Sequence, residues 1–208
     1  TRHPKEGEPS LYTGELGFVN NFGLINGGVQ DFIENDLPIY LKKQVPTIAS
    51  ISVRPGENHL TVVRELEGTG ISGFELNISC PNVGGYGLYD FDLSKCVNKI
   101  RKFTELPIWL KLPPDYSYVS SLLSTNHIQS VDAITACNTA KVAYFNQRNR
   151  LTIGGMSGKH LLPLSLAVVQ KLATELPNTP IFACGGVEDA ETAKAYTRVG
   201  ATAVQVGS

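Results

Sequence analysis

Six short runs rich in β-branched and apolar residues punctuate the chain, and their spacing limits the fold more than any other feature. They are Thr47 to Val53, Gly73 to Ser79, Pro107 to Lys111, Val131 to Cys137, Pro180 to Cys184 and Ala201 to Val206. None shows the clean apolar/polar alternation of a half-solvated strand, so each reads as a strand covered on both faces. Helical patterns fall between them. Asn58 stands where it caps a helix carrying Leu60, Val63 and Leu66, and Asp92 where it caps one carrying Leu93, Val97 and Ile100. Pro163 suits the first turn of a helix with Leu166, Val169 and Leu172, and Asp189 to Arg198 reads as a short helix ended by Gly200. Strand starts lie 26, 34, 24, 49 and 21 residues apart, the alternation of βα units. The predicted fold is α/β, a parallel barrel of the TIM (β/α)8 type.

A closed barrel of that type uses eight strands and about 250 residues. This chain has 208 residues, shows six such strands, and reaches Ser208 directly after the sixth. No strand is evident before Thr47, so the expectation is one partial barrel domain over residues 1–208, lacking two N-terminal strands and the C-terminal helix. The single methionine is Met156, which suggests a fragment or a processed chain. The longest gap, from Cys137 to Pro180, holds one helix and a polar, glycine-containing stretch, 138–160, predicted to be a functional loop or lid.

Charge excludes several classes of partner. With 18 Lys+Arg against 19 Asp+Glu, the chain has neither the basic field of a nucleic-acid binder nor a polybasic membrane patch. Charged residues make up 18% and apolar residues 42%, which excludes disorder as the main state. No apolar run approaches the ~20 residues that span a bilayer. Cys80, Cys96, Cys137 and Cys184 are 16, 41 and 47 positions apart, matching neither a zinc pair nor a CxxC motif, and read as reduced thiols of a cytosolic protein. His3, His59, His127 and His160 lack ligand spacing, so no metal site is predicted and all four are expected at the surface.

Chemistry-bearing residues gather where strands end. Glu75-Leu76-Asn77-Ile78-Ser79-Cys80-Pro81-Asn82 puts two amides and a thiol at the C-terminal mouth of a strand, where barrel enzymes build their sites. Cys80 suits a base or nucleophile; a thiol with a pKa of about 8.5 would need a local shift or alkaline conditions to act. The alternative is a small buried hydrophobe. Lys111 ends an apolar strand, and a lysine aimed into a barrel mouth is costly unless it meets an anion, a carbonyl or an electron-rich cofactor; a rim lysine reaching water is the other reading. Asn20, Asn77, Asn82 and Asn138 present amide forks that suit a ring with N–H and C=O edges, such as a pyrimidine; a single Asn is more often a turn former, but four stand at predicted mouth positions. Gly185-Gly186 and Gly207-Ser208 follow the last two strands, where backbone N–H groups of barrels commonly bind phosphate.

Three segments, Asn77-Ile78-Ser79-Cys80-Pro81-Asn82-Val83, Lys111-Leu112-Pro113-Pro114 and the early run Leu16 to Asn26, together resemble the dihydroorotate dehydrogenases, and the resemblance spans nearly the whole chain. Cysteine rather than serine in the first is similar to the soluble class 1 enzymes. Lys-Leu-Pro-Pro and Tyr89-Asp90-Phe91 look most like class 1A, the homodimeric cytosolic subgroup that passes electrons to fumarate. The resemblance implies FMN as cofactor and oxidation of dihydroorotate to orotate in pyrimidine synthesis. It implies Cys80 as the base for the C5 proton while a hydride leaves C6 for the flavin, and Lys111 beside flavin N1 and the C2 carbonyl. It places Asn20, Phe22, Gly23, Leu24, Asn77, Asn82, Asn138 and Thr139 at the substrate, with Phe22 where the family usually has Met. Gly154-Gly155, Gly185-Gly186 and Gly207-Ser208 match glycine turns around the ribityl phosphate.

The chain departs from the family pattern at three places: no counterpart of its first two strands precedes Thr1, Val83 to Leu88 lacks the usual Pro-Gly-Lys-Pro-Gln, and Ala140 to Tyr144 replaces a glycine-rich continuation. An FMN barrel acting on another reduced pyrimidine, like a domain of dihydropyrimidine dehydrogenase, and a non-catalytic relative binding a phosphorylated ligand are the alternatives.

Overall fold

The computed structural model describes residues 3–4, 11–14, 17–53, 58–79, 93–125, 127–146 and 148–207. Four short strands come first: β1 (His3–Pro4), β2 (Leu11–Gly14), β3 (Gly17–Asn20) and β4 (Gly23–Leu24). A helical segment follows, with α1 (Val29–Asp31), one π turn (Phe32–Asp36) and α2 (Leu37–Lys42). The chain then alternates: β5 (Ile48–Ile51), α3 (His59–Leu66), β6 (Gly73–Asn77), α4 (Leu93–Ile100), β7 (Ile108–Leu112), α5 (Tyr116–Ser124) and β8 (Ala133–Ala136). A hairpin, β9 (Ala140–Phe145) and β10 (Leu151–Ser157), leads into α6 (Leu162–Glu175), β11 (Ile181–Cys184), α7 (Ala190–Arg198) and β12 (Ala203–Gln205).

All six predicted barrel strands form. They join one parallel sheet in the order β12-β11-β8-β7-β6-β5, the order a right-handed βα winding produces. The sheet is a six-stranded part of an α/β barrel, open among the described residues. One face packs under the helices: Leu76, Leu110, Ile134 and Ala183 are buried with Val63, Val97, Val119, Val169 and Tyr196 in a single core. Each fully buried aliphatic side chain of this set contributes roughly 1.5–3 kcal/mol. The opposite face carries Ser50 beside Glu75, Asn77 beside Lys111, Lys111 beside Thr135, and Cys184 beside Gln205, all in register across neighbouring strands. Deep on this face Trp109 and Phe182 stack with ring centroids 4.1 Å apart, and the β8 residue in register with Trp109 is only Ala133.

Local sequence explains the helix starts. The Asn58 side chain accepts a hydrogen bond from the Leu60 amide at 2.9 Å, and Asp189 and Thr192 form a reciprocal capping box at the head of α7. Pro163 sits in the first turn of α6. Asp92 lies outside the described residues. Helix α5 has no strong apolar period, but Asp115 caps it by accepting from the Tyr118 amide at 2.9 Å. Among the described residues no helix is long and apolar enough to cross a membrane.

The structure corrects three expectations. The segment before Thr47 is not without strands, and 138–160 is not an irregular loop. Strands β2, β3, β10 and β9 form a second, antiparallel sheet in that order, with Val19, Tyr144 and Met156 buried on one face. Its other face exposes Phe18, Phe145, Leu151 and Ile153, so apolar residues point both ways and the period-2 contrast that marks a half-buried strand is erased. The hairpin turns without glycine: Asn146 Oδ1 accepts from the amides of Arg148 and Arg150, each at 3.0 Å, and Asn149 adopts φ 53°. The third correction concerns the histidines. His160 is exposed, but His59 is only 4% exposed, with Nδ1 4.0 Å from Cys96 Sγ. The side chains of His3 and His127 lie outside what the structure describes.

Burial pushes the His59 pKa from 6.5 down to about 4, because the charged imidazolium is desolvated. Between these two values the unfolded chain binds a proton that the native chain refuses. Stability is therefore complete above pH 6.5 and falls as pH drops toward 4, by on the order of 3 kcal/mol. Urea midpoints measured across that window should decline for the wild type and flatten for His59→Gln. Asn58→Ala should lower stability by about 1 kcal/mol at any pH in the same assay, the usual effect of losing an N-cap.

Candidate active site at the mouth of the parallel sheet

The carboxyl ends of β6, β7 and β8 are laced together by Asn77 and Asn138, two of the candidates, and by Ser79, which was not among them. Asn138 Nδ2 donates to Asn77 Oδ1 at 3.0 Å and to Ser79 Oγ at 3.1 Å. The Ser79 hydroxyl donates to the Lys111 carbonyl at 2.9 Å, and the Asn138 amide donates to the Leu112 carbonyl at 2.7 Å. Asn138 Oδ1 accepts from the Thr139 amide at 2.8 Å, which fixes the amide fork in one orientation. Asn77, Lys111, Asn138 and Thr139, four of the candidates, are thus neighbours at these strand ends.

Beneath this rim lies a charged layer. Lys111 Nζ stands 3.8 Å from Glu75 Oε1, with the two side chains 20% and 7% exposed. Lys111 is therefore on the inner face and not a rim lysine reaching into water. Glu75 also accepts from Ser50 Oγ at 2.8 Å and from Thr135 Oγ1 at 2.6 Å, and Gln205 Nε2 donates to Thr135 Oγ1 at 3.3 Å. Buried polar groups persist only when paired, and here every oxygen of the carboxylate has a donor.

Two thiols lie nearby, Cys184 on the inner face beside Gln205 and Cys137 in the helix-side core. Burial pushes Cys137 up to about 12, against a smaller opposing hydrogen bond from Ser165, and burial also raises Cys184. Neither forms a disulfide. Cys80, Asn82 and Ser208 lie outside the described residues.

The early residues approach from a different side. Asn20 ends β3, opposite Gly155 of β10 and Leu11 of β2. Gly23 and Leu24 form β4, and Phe22 is half-buried. Leu24 shares a cleft of about 520 Å³ with Asn77, Ser50 and Ser52, between the helical segment and β5.

The glycines divide into two kinds. Gly185 and Gly186 form the turn after β11, with φ 114° and 66°. A Cβ on Gly186 would lie 3.0 Å from the Leu162 amide nitrogen at the head of α6, so this turn abuts a helix N-terminus. Backbone amides at that place suit a phosphate. The Tyr196 hydroxyl donates to the Gly185 carbonyl at 2.5 Å and pins the turn. Gly154 and Gly155, expected in a turn, are instead inside strand β10. A Cβ on Gly154 would come within 2.5 Å of the Asn20 carbonyl, so its lack of a side chain lets β10 and β3 close. The turn glycine of this region is Gly158, with φ 92°, whose carbonyl is 3.2 Å from the same Gly186 Cβ position. Sequence reasoning passed over Gly158, although its place just ahead of the helix at Leu162 was a usable signal. Gly207 follows β12, and a Cβ there would meet nothing within 4 Å.

Comparison with known proteins agrees with this geometry. A family model described as "Dihydroorotate dehydrogenase" matches residues 1–208. A Solibacter usitatus protein provisionally named dihydroorotate dehydrogenase A (fumarate) is 30% identical, over 100% of this chain and 72% of its own length. The protein named "Dihydroorotate dehydrogenase B (NAD(+)), catalytic subunit" from Thermoanaerobacter sp. (strain X514) is also 30% identical with the same coverage. Its namesake from Alkaliphilus metalliredigens is 31% identical over 99% of this chain and 71% of its own length. With a match along its whole length, and a parallel sheet whose strand ends gather the lysine and amides of the resemblance, the chain belongs to the dihydroorotate dehydrogenase family.

Proposed function

We propose that this chain oxidises dihydroorotate to orotate, the redox step of pyrimidine synthesis, as an FMN-dependent oxidoreductase, with residues 1–208 as one barrel domain. The observation that carries the reading is the convergence of one held ammonium, Lys111, and two hydrogen-bonded amides, Asn77 and Asn138, at the mouth of the sheet. Members of this family are FMN flavoproteins, and the residues present fit that group. Lys111 supplies fixed positive charge where an electron-rich ring edge would need it. The Gly185-Gly186 turn at the head of α6 supplies backbone donors for a phosphate, with Gly207 and Ser208 following the next strand.

When bound, FMN supplies a two-electron acceptor for the hydride that leaves C6. The protein's own part is to orient the ring and take a proton. Asn77 retains its Nδ2 hydrogens for a ligand, since its Oδ1 is the atom engaged by Asn138. Asn20, Asn82, Asn138 and Thr139 add polar contacts, and Phe22, Gly23 and Leu24 add an apolar and close-packing edge. Gly154 acts by letting β10 close on Asn20, with Gly155 paired to Asn20 across the strands. Cys80, on the segment after β6, removes the C5 proton as its thiolate, so activity should rise as pH approaches the thiol range.

Fumarate is the acceptor we assign, from the class 1A character of Lys111-Leu112-Pro113-Pro114, together with a cytoplasmic homodimer. A second reading, NAD(+) as the acceptor with this chain as a catalytic subunit beside another, is favoured by the relatives named as NAD(+)-type catalytic subunits.

Steady-state assays separate the readings. Dihydroorotate should be turned over with fumarate; turnover of dihydrouracil alone would remove the substrate, and activity only when a second subunit and NAD(+) are added would move the acceptor. Cys80→Ser should keep flavin and orotate binding while kcat at neutral pH falls by roughly 10²–10⁴-fold, the range for loss of a general base. A Cys80→Ser protein with flavin bound and unchanged kcat would transfer the proton step to another residue.

A further inference from the structure

Lysine has a long, flexible stem, so something must decide where its ammonium rests. Its ion-pair partner here is Glu75, at 3.8 Å, which is inside ion-pair range but longer than a direct hydrogen bond. The charge is held while the three N–H donors of Lys111 stay available to a ligand. Glu75 is itself held from both sides, its Oε1 by Ser50 of β5 and its Oε2 by Thr135 of β8. Thr135 has one hydroxyl proton and gives it to Glu75, which leaves its lone pairs to accept from Gln205 of β12. Five of the six parallel strands therefore place one side chain each in a single directional network that ends on the Lys111 charge. A buried ion pair is weak evidence of a stabilising role, because desolvation offsets the attraction. Its presence at the mouth where the flavin is proposed to bind calls for a functional account.

We propose that Glu75 is a positioning residue that acts through Lys111: it anchors the ammonium and offsets part of its field, which limits how strongly the site favours reduced flavin. The inference rests on the flavin reading above. Without the offset, the ammonium would stabilise the reduced, anionic ring more strongly and slow its reoxidation by the acceptor. Glu75→Gln keeps the shape and removes the negative charge. Glu75→Asp keeps the charge and loses reach to the two hydroxyls.

The test is the midpoint potential of the bound flavin in the full chain, alongside its melting temperature. Glu75→Gln should shift the reduction equilibrium toward reduced flavin by about tenfold, which is about 30 mV for a two-electron couple. Its flavin should be reduced by dihydroorotate faster and reoxidised more slowly than in the wild type. Glu75→Asp should stay within about threefold of the wild-type equilibrium even though it melts lower. An unchanged or lowered potential in Glu75→Gln, or equal shifts in both variants, would overturn the proposal and leave the flavin reading intact. Should the purified chain hold no flavin, that reading fails by itself. The pairing is then tested by acylation of Lys111, mapped by mass spectrometry: labelling several-fold faster in Glu75→Gln supports it, and equal rates overturn it.

Discussion

An ammonium placed inside a sheet has to be answered by an anion, and that requirement organises the inner face of this protein. Lys111 sits on the central strand β7, and Glu75 answers it from β6. The carboxylate in turn needs donors, which come from Ser50 and Thr135 on strands to either side. Each of these groups is on the inward-facing set of its own strand, so a change of strand register would break the charge pairing. A slip of one residue in β7 would turn Lys111 into the helix-facing core and expose Leu110 or Leu112 to the mouth.

The helix-facing side supports this arrangement by being uniformly apolar. Phe74, Leu76, Leu110, Ile134 and Ala183 present no polar atom to the helices, and their burial holds the strands at fixed height. Below the charged layer the stacked Trp109 and Phe182 fill the inner face. Above it, the Asn77–Asn138–Ser79 network joins three strand ends. The site is therefore layered: apolar rings, then paired charges, then amides at the opening. The predicted site residues Asn77, Lys111 and Asn138 stand at strand ends of the parallel sheet, while Asn20 belongs to the antiparallel sheet, which has a separate small core.

Much of this was legible in the sequence. The βα spacing located all six parallel strands to within a few residues, because parallel strands bury both faces and stand out as apolar runs. The same rule hid the polar layer. Ser50, Glu75, Lys111, Thr135 and Gln205 look like interruptions of apolar runs when each strand is read alone, and only their contacts across the folded sheet show them as a network. Strands β9 and β10 were missed because apolar residues stand on both their faces and Asn146, with Asn149 at positive φ, makes the turn that glycine would usually mark. Gly154 and Gly155 were placed in a turn by the family resemblance; here both lie inside β10, where Gly154 lets two strands approach. His59 was taken for a surface residue because it lacks ligand spacing to a second histidine, although the helix it opens behind Asn58 was read correctly; in that helix it is buried.

The central claim is that the mouth holding Lys111, Asn77 and Asn138 carries dihydroorotate to a bound flavin. Rapid anaerobic mixing of the flavin-loaded chain with one equivalent of dihydroorotate tests it most directly. Loss of the visible flavin band in a single turnover, with one orotate formed per flavin bleached, is the predicted result. A folded, flavin-loaded protein whose spectrum does not change on mixing would contradict it.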